Sequence, residues 1–251
     1  MEHKLVGARD KLLAVCLALL VWQAVAMTVG AEILLPSPVA VVGSFFSLLF
    51  DSGTWAALLY SASRILLGFL AGLLLGFLLA VLATRYRIVE TLLFPYMITV
   101  RSVPVASFTV VALIWLSAAE LSGLISFLIV LPIVYNNILE GLLARNRALD
   151  EMADVFHLPF FRRLRYIWLP SVRPTVLAAA STSVGLAWKS GVAAELIGLA
   201  DGTIGDAIYM TKINLETPAL FAFTLLVVLA SMVSERLVRL ALRILLGGDR
   251  A

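Results

Sequence analysis

Charge is scarce in this 251-residue chain: only 14% of its residues are Asp, Glu, Lys or Arg, while 62% are hydrophobic. A mean hydropathy of +1.03 excludes an ordinary soluble domain and places the chain in the membrane class. Cysteine is nearly absent. The single Cys16 lies inside an apolar run, so no disulfide framework exists within the chain, and a lipid-facing or packing role is expected for it. With His3 and His157 as the only histidines, there is no zinc cluster and no Cys/His catalytic pair, so no catalytic or metal-binding residue is expected. Lys189-Ser190 could pass for the end of a phosphate-binding loop, but Trp188 and Ser183 stand where that loop requires glycine. No polar block is long enough to fold as a separate soluble unit. One membrane domain over residues 1–251 is the reading, with all its structure helical.

Long apolar runs are what the chain has instead. Six predicted transmembrane helices fall at about 12–30, 56–83, 92–116, 121–143, 175–199 and 218–246. The first run, with Ala24-Val25-Ala26 near its end, also has features of a cleavable signal peptide, although its apolar core is long for one. After the break at Leu35-Pro36-Ser37-Pro38, residues 39–50 are apolar but too few to span, which predicts a helix lying at the outer surface. Gly68, Gly72 and Gly76 repeat every four residues, and this stripe predicts close helix packing. Pro104 falls inside the third span, and Glu120 marks a tight outer turn. Asn136 and Asn137 are expected to hydrogen-bond across helices.

The charges divide by side. Lys4 to Lys11, Arg85, Arg87, the cations from Arg145 to Arg173, and those from Arg236 to Arg250 fall on one side of this layout. Opposite them, Lys212 is the lone loop cation beside Glu32, Asp51, Glu120, Asp201, Asp206 and Glu216. By the positive-inside rule, both termini and the 145–174 loop face the cytoplasm.

That loop contains LDEMADVFHLPFFRRLRYIWLPSVRP. Asp150, Glu151 and Asp154 suit the first turns of a short helix, whose dipole they complement. Pro159 disfavours helical geometry at Leu158, so this helix should stop near His157. A second short helix from Phe160 would put Phe161, Leu164 and Ile167 on one face, with Arg162, Arg163 and Arg165 on or beside the other, and Pro170 would end it.

Glu151, Ala153, Ile167, Leu169 and Pro170 fall at the spacing of the cytoplasmic signature loop of ABC importer permeases of the binding-protein-dependent type, which the chain resembles. Met152 replaces the first Ala of the Glu-Ala-Ala element, and His157 replaces its Gly. Since Gly serves a turn with positive φ and His enters that region only occasionally, the Leu158-Pro159 step is expected to supply the turn. Ser61, Arg64, Gly68 and Phe69, then Pro132, Asn137 and Gly141, and then Ala194-Glu195 resemble the nitrate, sulfonate and taurine branch. The resemblance implies a type I importer permease fold in the bacterial inner membrane. It implies that Glu151, Met152, Ala153, Asp154, Val155, Phe156, His157 and Leu158 form the segment docking on an ABC ATPase. Partners so implied are two ATPase subunits, which bind the ATP and Mg, an extracytoplasmic solute-binding protein and a second copy of the chain. Substrates among look-alikes are sulfonates, taurine, nitrate, bicarbonate and vitamin precursors.

Ionisable residues within a span suggest function because hydrocarbon penalises them. Lys189 and Glu195 are candidates for the translocation path, and their spacing of six residues separates them by about 120° around a helix, too far for a local pair. Lys189 would line a hydrated path, or alternatively pair with a neighbouring helix while Glu195 reaches the outer interface. Arg101, about two turns in from the cytoplasmic edge and long enough to snorkel, joins them, as do Asn136 and Asn137. A secondary transporter or channel would instead carry more mid-membrane ionisable residues and often an internal repeat. A membrane scaffold without transport stays open on the residues alone.

Overall fold

The computed structural model describes residues 8–144 and 146–246; Lys4, Arg145 and Arg250 of the charge pattern, and His3, lie outside the described residues. Every described element is helical. Helix α1 (Ala8–Val29) is apolar and almost wholly exposed, with Cys16 on its open surface. It touches the body mainly at Trp22, whose indole nitrogen donates to Pro36 O at 3.1 Å and whose ring lies 5.9 Å from that of Phe221. Pro38 is in the first turn of α2 (Pro38–Phe50), where a missing N–H costs nothing, and Ser37 caps it by accepting from Ala40 N at 3.2 Å.

Asp51 then caps α3 (Ser52–Arg85): its Oδ2 accepts from Thr54 Oγ1 at 2.8 Å and from Thr54 N at 2.7 Å. These bonds hold the carboxyl below its ordinary range. The 34 residues of α3 extend about 50 Å at 1.5 Å per residue, more than a bilayer core requires. Its most extensive packing is on α6 (Ala118–Leu143), and α6 in turn packs on α9 (Leu169–Gly198). A Cβ added at Gly68 would lie 2.1 Å from Gly123 O, one at Gly72 would lie 2.9 Å from Val130 Cβ, and one at Gly76 would lie 3.0 Å from Leu131 O. The seam therefore closes backbone to backbone. Phe69, Ile65, Val130, Val134, Ile138, Val184 and Trp188 fill the core around it, each at most 1% exposed.

The third span is not one helix. The chain forms α4 (Arg87–Ser102) and α5 (Val105–Ala112), bent by 99° to each other across Val103-Pro104. Proline has no N–H for the ladder and disfavours helical geometry at the residue before it, and Val103 is extended at φ −72°, ψ 128°. Pro95 and Pro132, by contrast, stay within helices. At the start of α6, Glu120 accepts from Ser117 N at 3.0 Å and from its hydroxyl at 2.7 Å, closing the outer turn.

After α7 (Arg147–Val155) and α8 (Phe160–Arg163), one π turn over Leu164–Trp168 leads straight into α9. Pro170 therefore begins a helix instead of ending one, because the first turn is where its lost donor is tolerated. The wider π turn also shifts the register. Ile167 is buried while Phe161 is 80% exposed, so the expected common face does not form. Beyond α9, the stretch expected as a plain outer loop contains α10 (Ile204–Ile213), capped by Thr203, before α11 (Thr217–Leu245).

Among the described residues, four helices are long and apolar enough to cross a membrane, namely Leu12–Val29 of α1, α3, α6 and α11; the bent α4–α5 pair makes a fifth. Helix α9 has the length but interrupts its apolar sequence with Arg173, Lys189 and Glu195.

Candidate functional site

The signature loop is built around one small buried residue. Ala153 is fully buried, while Glu151 beside it is exposed and Met152, Val155 and Phe156 are 44%, 75% and 70% exposed. Helix α7 ends in a Schellman motif: Leu158 N donates to Ala153 O at 2.9 Å and His157 N to Asp154 O at 3.0 Å. His157 itself occupies the left-handed position, at φ +50°. The turn is thus made at the residue that replaces glycine, and not by the Leu158-Pro159 step. The local hydrogen bonds explain how a side chain is held there, since the left-handed conformation costs about 1–2 kcal/mol for a residue with a Cβ.

Arg163 completes the clamp. Its Nε donates to Leu158 O at 2.9 Å, one terminal nitrogen donates to Ala153 O at 3.1 Å, and the other pairs with Asp154 Oδ1 at 2.5 Å. One guanidinium therefore ties α8 to both ends of the turn. The result is a tied-down knob with Met152, Val155 and Phe156 outward beside the carboxylates of Glu151 and Asp154.

A second candidate lies deeper. Arg101, near the end of α4, meets Asn136 and Asn137 of α6 and Thr182 and Leu186 of α9 around a cleft of about 430 Å³. The break after Ser102 ends α4 at this point, so Arg101 stands in its last turn, where the helix dipole favours a cation. Asn137 donates to Ile133 O of its own helix at 2.7 Å, and not across helices. On α6 the division is by face: Phe127, Val130, Leu131 and Val134 meet the glycines of α3, whereas Ile129, Pro132, Ile133 and Asn136 line the cleft.

Lys189 and Glu195 are elsewhere. Lys189 is exposed on α9, forms no ion pair among the described residues, and does not line the cleft. Glu195 is fully buried and does not reach the outer surface. Its Oε2 accepts from Ser61 Oγ at 2.8 Å and from Gly205 N at 3.2 Å, and Ser61 Oγ accepts from Ile204 N at 3.0 Å. Its Oε1 and the buried Ser122 hydroxyl lack a well-formed bond. The carboxyl thus pins the start of α10 to α3 and α9, and Gly205 is required because a Cβ there would come within 2.4 Å of Glu195 Cβ.

Arg163 was placed on a cationic side without a partner, and Thr182 and Gly205 were given no role from sequence. An arginine in a cationic loop, or a threonine among small residues, has no local pattern that names its partner. Ser61 and Arg64 did stand out in the resemblance, and each has a tertiary task. Ser61 holds Glu195, while Arg64 donates to Ala119 O and sits 4.5 Å from the Tyr60 ring centre.

An all-helical membrane chain with an exposed helical knob between long spans suits a transport permease, and its relatives give it that class. Residues 72–243 match the family pattern of the binding-protein-dependent transport system inner membrane component. The chain is 29% identical over 247 residues to a protein of Bacillus subtilis strain 168 named as an aliphatic sulfonates transport permease, SsuC, covering 97% of this chain and 89% of the relative. The SsuC protein of Escherichia coli K12 is 30% identical over 232 residues, 89% of this chain and 87% of its own length. The nitrate import permease protein NrtB of Synechocystis is 24% identical over 196 residues, 73% and 70% of the two chains. The chain belongs to the binding-protein-dependent permease family of ABC importers, in its sulfonate and nitrate branch. It is a membrane-embedded transport subunit, and its family works with an ATPase and a substrate-binding protein.

Proposed function

We propose that the chain is one half of a homodimeric permease in a bacterial inner membrane, importing a small oxyanion of the sulfonate or nitrate type at the expense of ATP bound by two partner ATPases. The single membrane domain over residues 1–251 spans six times with both termini cytoplasmic, counting the bent α4–α5 pair as one crossing and α9 as another. A solute-binding protein delivers the substrate from outside. Residues Glu151 to Leu158 dock on the ATPase and transmit its closure, which switches the path between the two sides. Lys189 faces the hydrated path at the subunit junction, whereas Arg101, Asn136 and Asn137 line it within each subunit, and Glu195 holds its outer end together.

The observation that carries this reading is the knob at Ala153. A buried Ala153 under Arg163 leaves Met152, Val155 and Phe156 outward on a fixed turn, which suits insertion into a partner groove. Co-expression with the neighbouring ATPase, extraction in mild detergent and affinity capture of the permease tests it. Capture of the ATPase by the native chain, and its loss in Phe156→Asp and Glu151→Lys variants that still accumulate in the membrane, is the expected result. A well-folded native chain that never retains an ATPase would sink the proposal and turn the search to ion-driven transport.

A further inference from the structure

The cleft at Arg101 holds a charge with no counter-charge. No carboxylate lines it, and among the described residues Arg101 forms no ion pair and no hydrogen bond. Arg101 is exposed on the subunit, and a guanidinium beside apolar spans is costly unless water or an anion faces it. Around it are the amide groups of Asn136 and Asn137 and the hydroxyl of Thr182, all able to donate. Asn137 spends one N–H on Ile133 O and keeps the other. A planar guanidinium fork with amide and hydroxyl donors beside it suits an oxyanion whose oxygens can be bridged in pairs.

A second cleft, of about 550 Å³, opens between α9 and α11 and is lined by Ser181, Thr182, Glu235, Arg239 and Arg243. Arg239 is already committed: it donates to Ser181 Oγ at 3.1 Å and pairs with Glu235. Arg243, one turn further along α11, has no such partner among the described residues. Thr182 lines both clefts. The two clefts therefore share Thr182 in their walls, with Arg101 in one and Arg243 in the other.

The geometry points to a transient oxyanion subsite at Arg101, Asn136, Asn137 and Thr182, which discharges past Thr182 toward Arg243. The assignment deepens the proposed importer function and rests on it. Two neighbouring cationic positions suit passage better than one tight site, because a transported ion must be held weakly enough to leave. The half-neutralised Arg239 would limit retention at the exit, whereas the unpaired Arg101 makes entry selective for negative charge.

The test reads the electrostatics of the cleft directly. Thr182→Cys is introduced together with Cys16→Ser, so that one thiol remains, and the permease with its ATPase is placed in vesicles of zwitterionic lipid. Reaction rates are compared for two methanethiosulfonates of similar size, one carrying a sulfonate and one a trimethylammonium group. Each rate is divided by that reagent's rate with a free thiol in solution; the normalised ratio is expected to favour the anionic reagent, falling about tenfold in Arg101→Gln and recovering in part in Arg101→Lys. Asn136→Asp, which preserves shape and adds a negative charge, should lower the ratio as well and decides the matter if Arg101→Gln does not assemble. Ethanesulfonate should slow both reactions, and tetramethylammonium should not.

A ratio indifferent to both substitutions, or a thiol that neither reagent reaches in nucleotide-free and ATP-bound complex, would overturn the subsite. Protection appearing only in vesicles of anionic lipid would assign the cleft to a phosphate headgroup and overturn it too. Failure of the ATPase to co-purify would remove the importer reading, while the reagent ratio still answers for Arg101 separately.

Discussion

The seam between α3 and α6 and the signature loop between α7 and α9 solve opposite problems. At the seam, side chains are removed: three glycines let the helices close, and the bond from Arg64 to Ala119 O is added at one end. In the loop, a side chain is added at every step, with Arg163 binding two carbonyls and a carboxylate to keep a short turn rigid in water. In lipid there is no hydrophobic drive between helices, so contact must come from close fit. Outside the bilayer, backbone groups compete with water, and a turn holds its form through hydrogen bonds and caps. Structure that must stay fixed lies in the first region, and exposed structure held to one shape lies in the second.

Breaking the first region should have the larger effect. Gly68→Leu drives a side chain into the Gly123 carbonyl, and a cost of about 3 kcal/mol or more is expected, read as loss of membrane accumulation and of thermal stability in detergent. Arg163→Ala strips the loop of its clamp and should cost the turn about 1–3 kcal/mol while the bundle stays intact. Hydrogen exchange would show faster amides at His157 and Leu158 only, and retention of the ATPase should fall. Equal loss of protection in α3 and α6 would refute the separation of the two regions. The smallest effect sharpens the comparison: His157→Gly relieves the left-handed strain at φ +50° and should stabilise the turn by up to about 1 kcal/mol, slowing the same amides.

Helices followed from apolar run length, and the glycine stripe from a four-residue repeat, because both signals lie within one stretch of chain. The signature spacing around Glu151 and Ala153 was readable for the same reason. Pro104 was visible, but its outcome was not: Pro95 and Pro132 stay helical while Pro104 turns the chain by 99°, and that difference depends on what packs beyond the break. The turn at His157 was assigned to its neighbours because propensity disfavours it there, and the hydrogen bonds that override propensity come partly from Arg163, six residues on. Glu195 was recognised as unusual without its partners, since Ser61 lies 134 positions away. Arg101, Asn136 and Asn137 were named separately, and Thr182, which lines both their cleft and the next, carried no mark of its own.

Helix α6 turns one row of residues to the glycine seam and an adjacent row to the cleft. Substitutions on the two rows therefore act on different neighbours, the glycines of α3 on one side and the cleft on the other. A lineage could replace Ile129, Ile133 or Asn136 one at a time and explore new solutes while Val130 and Val134 keep the bundle closed. Substrate range and fold would then be inherited on separate faces of the same helix.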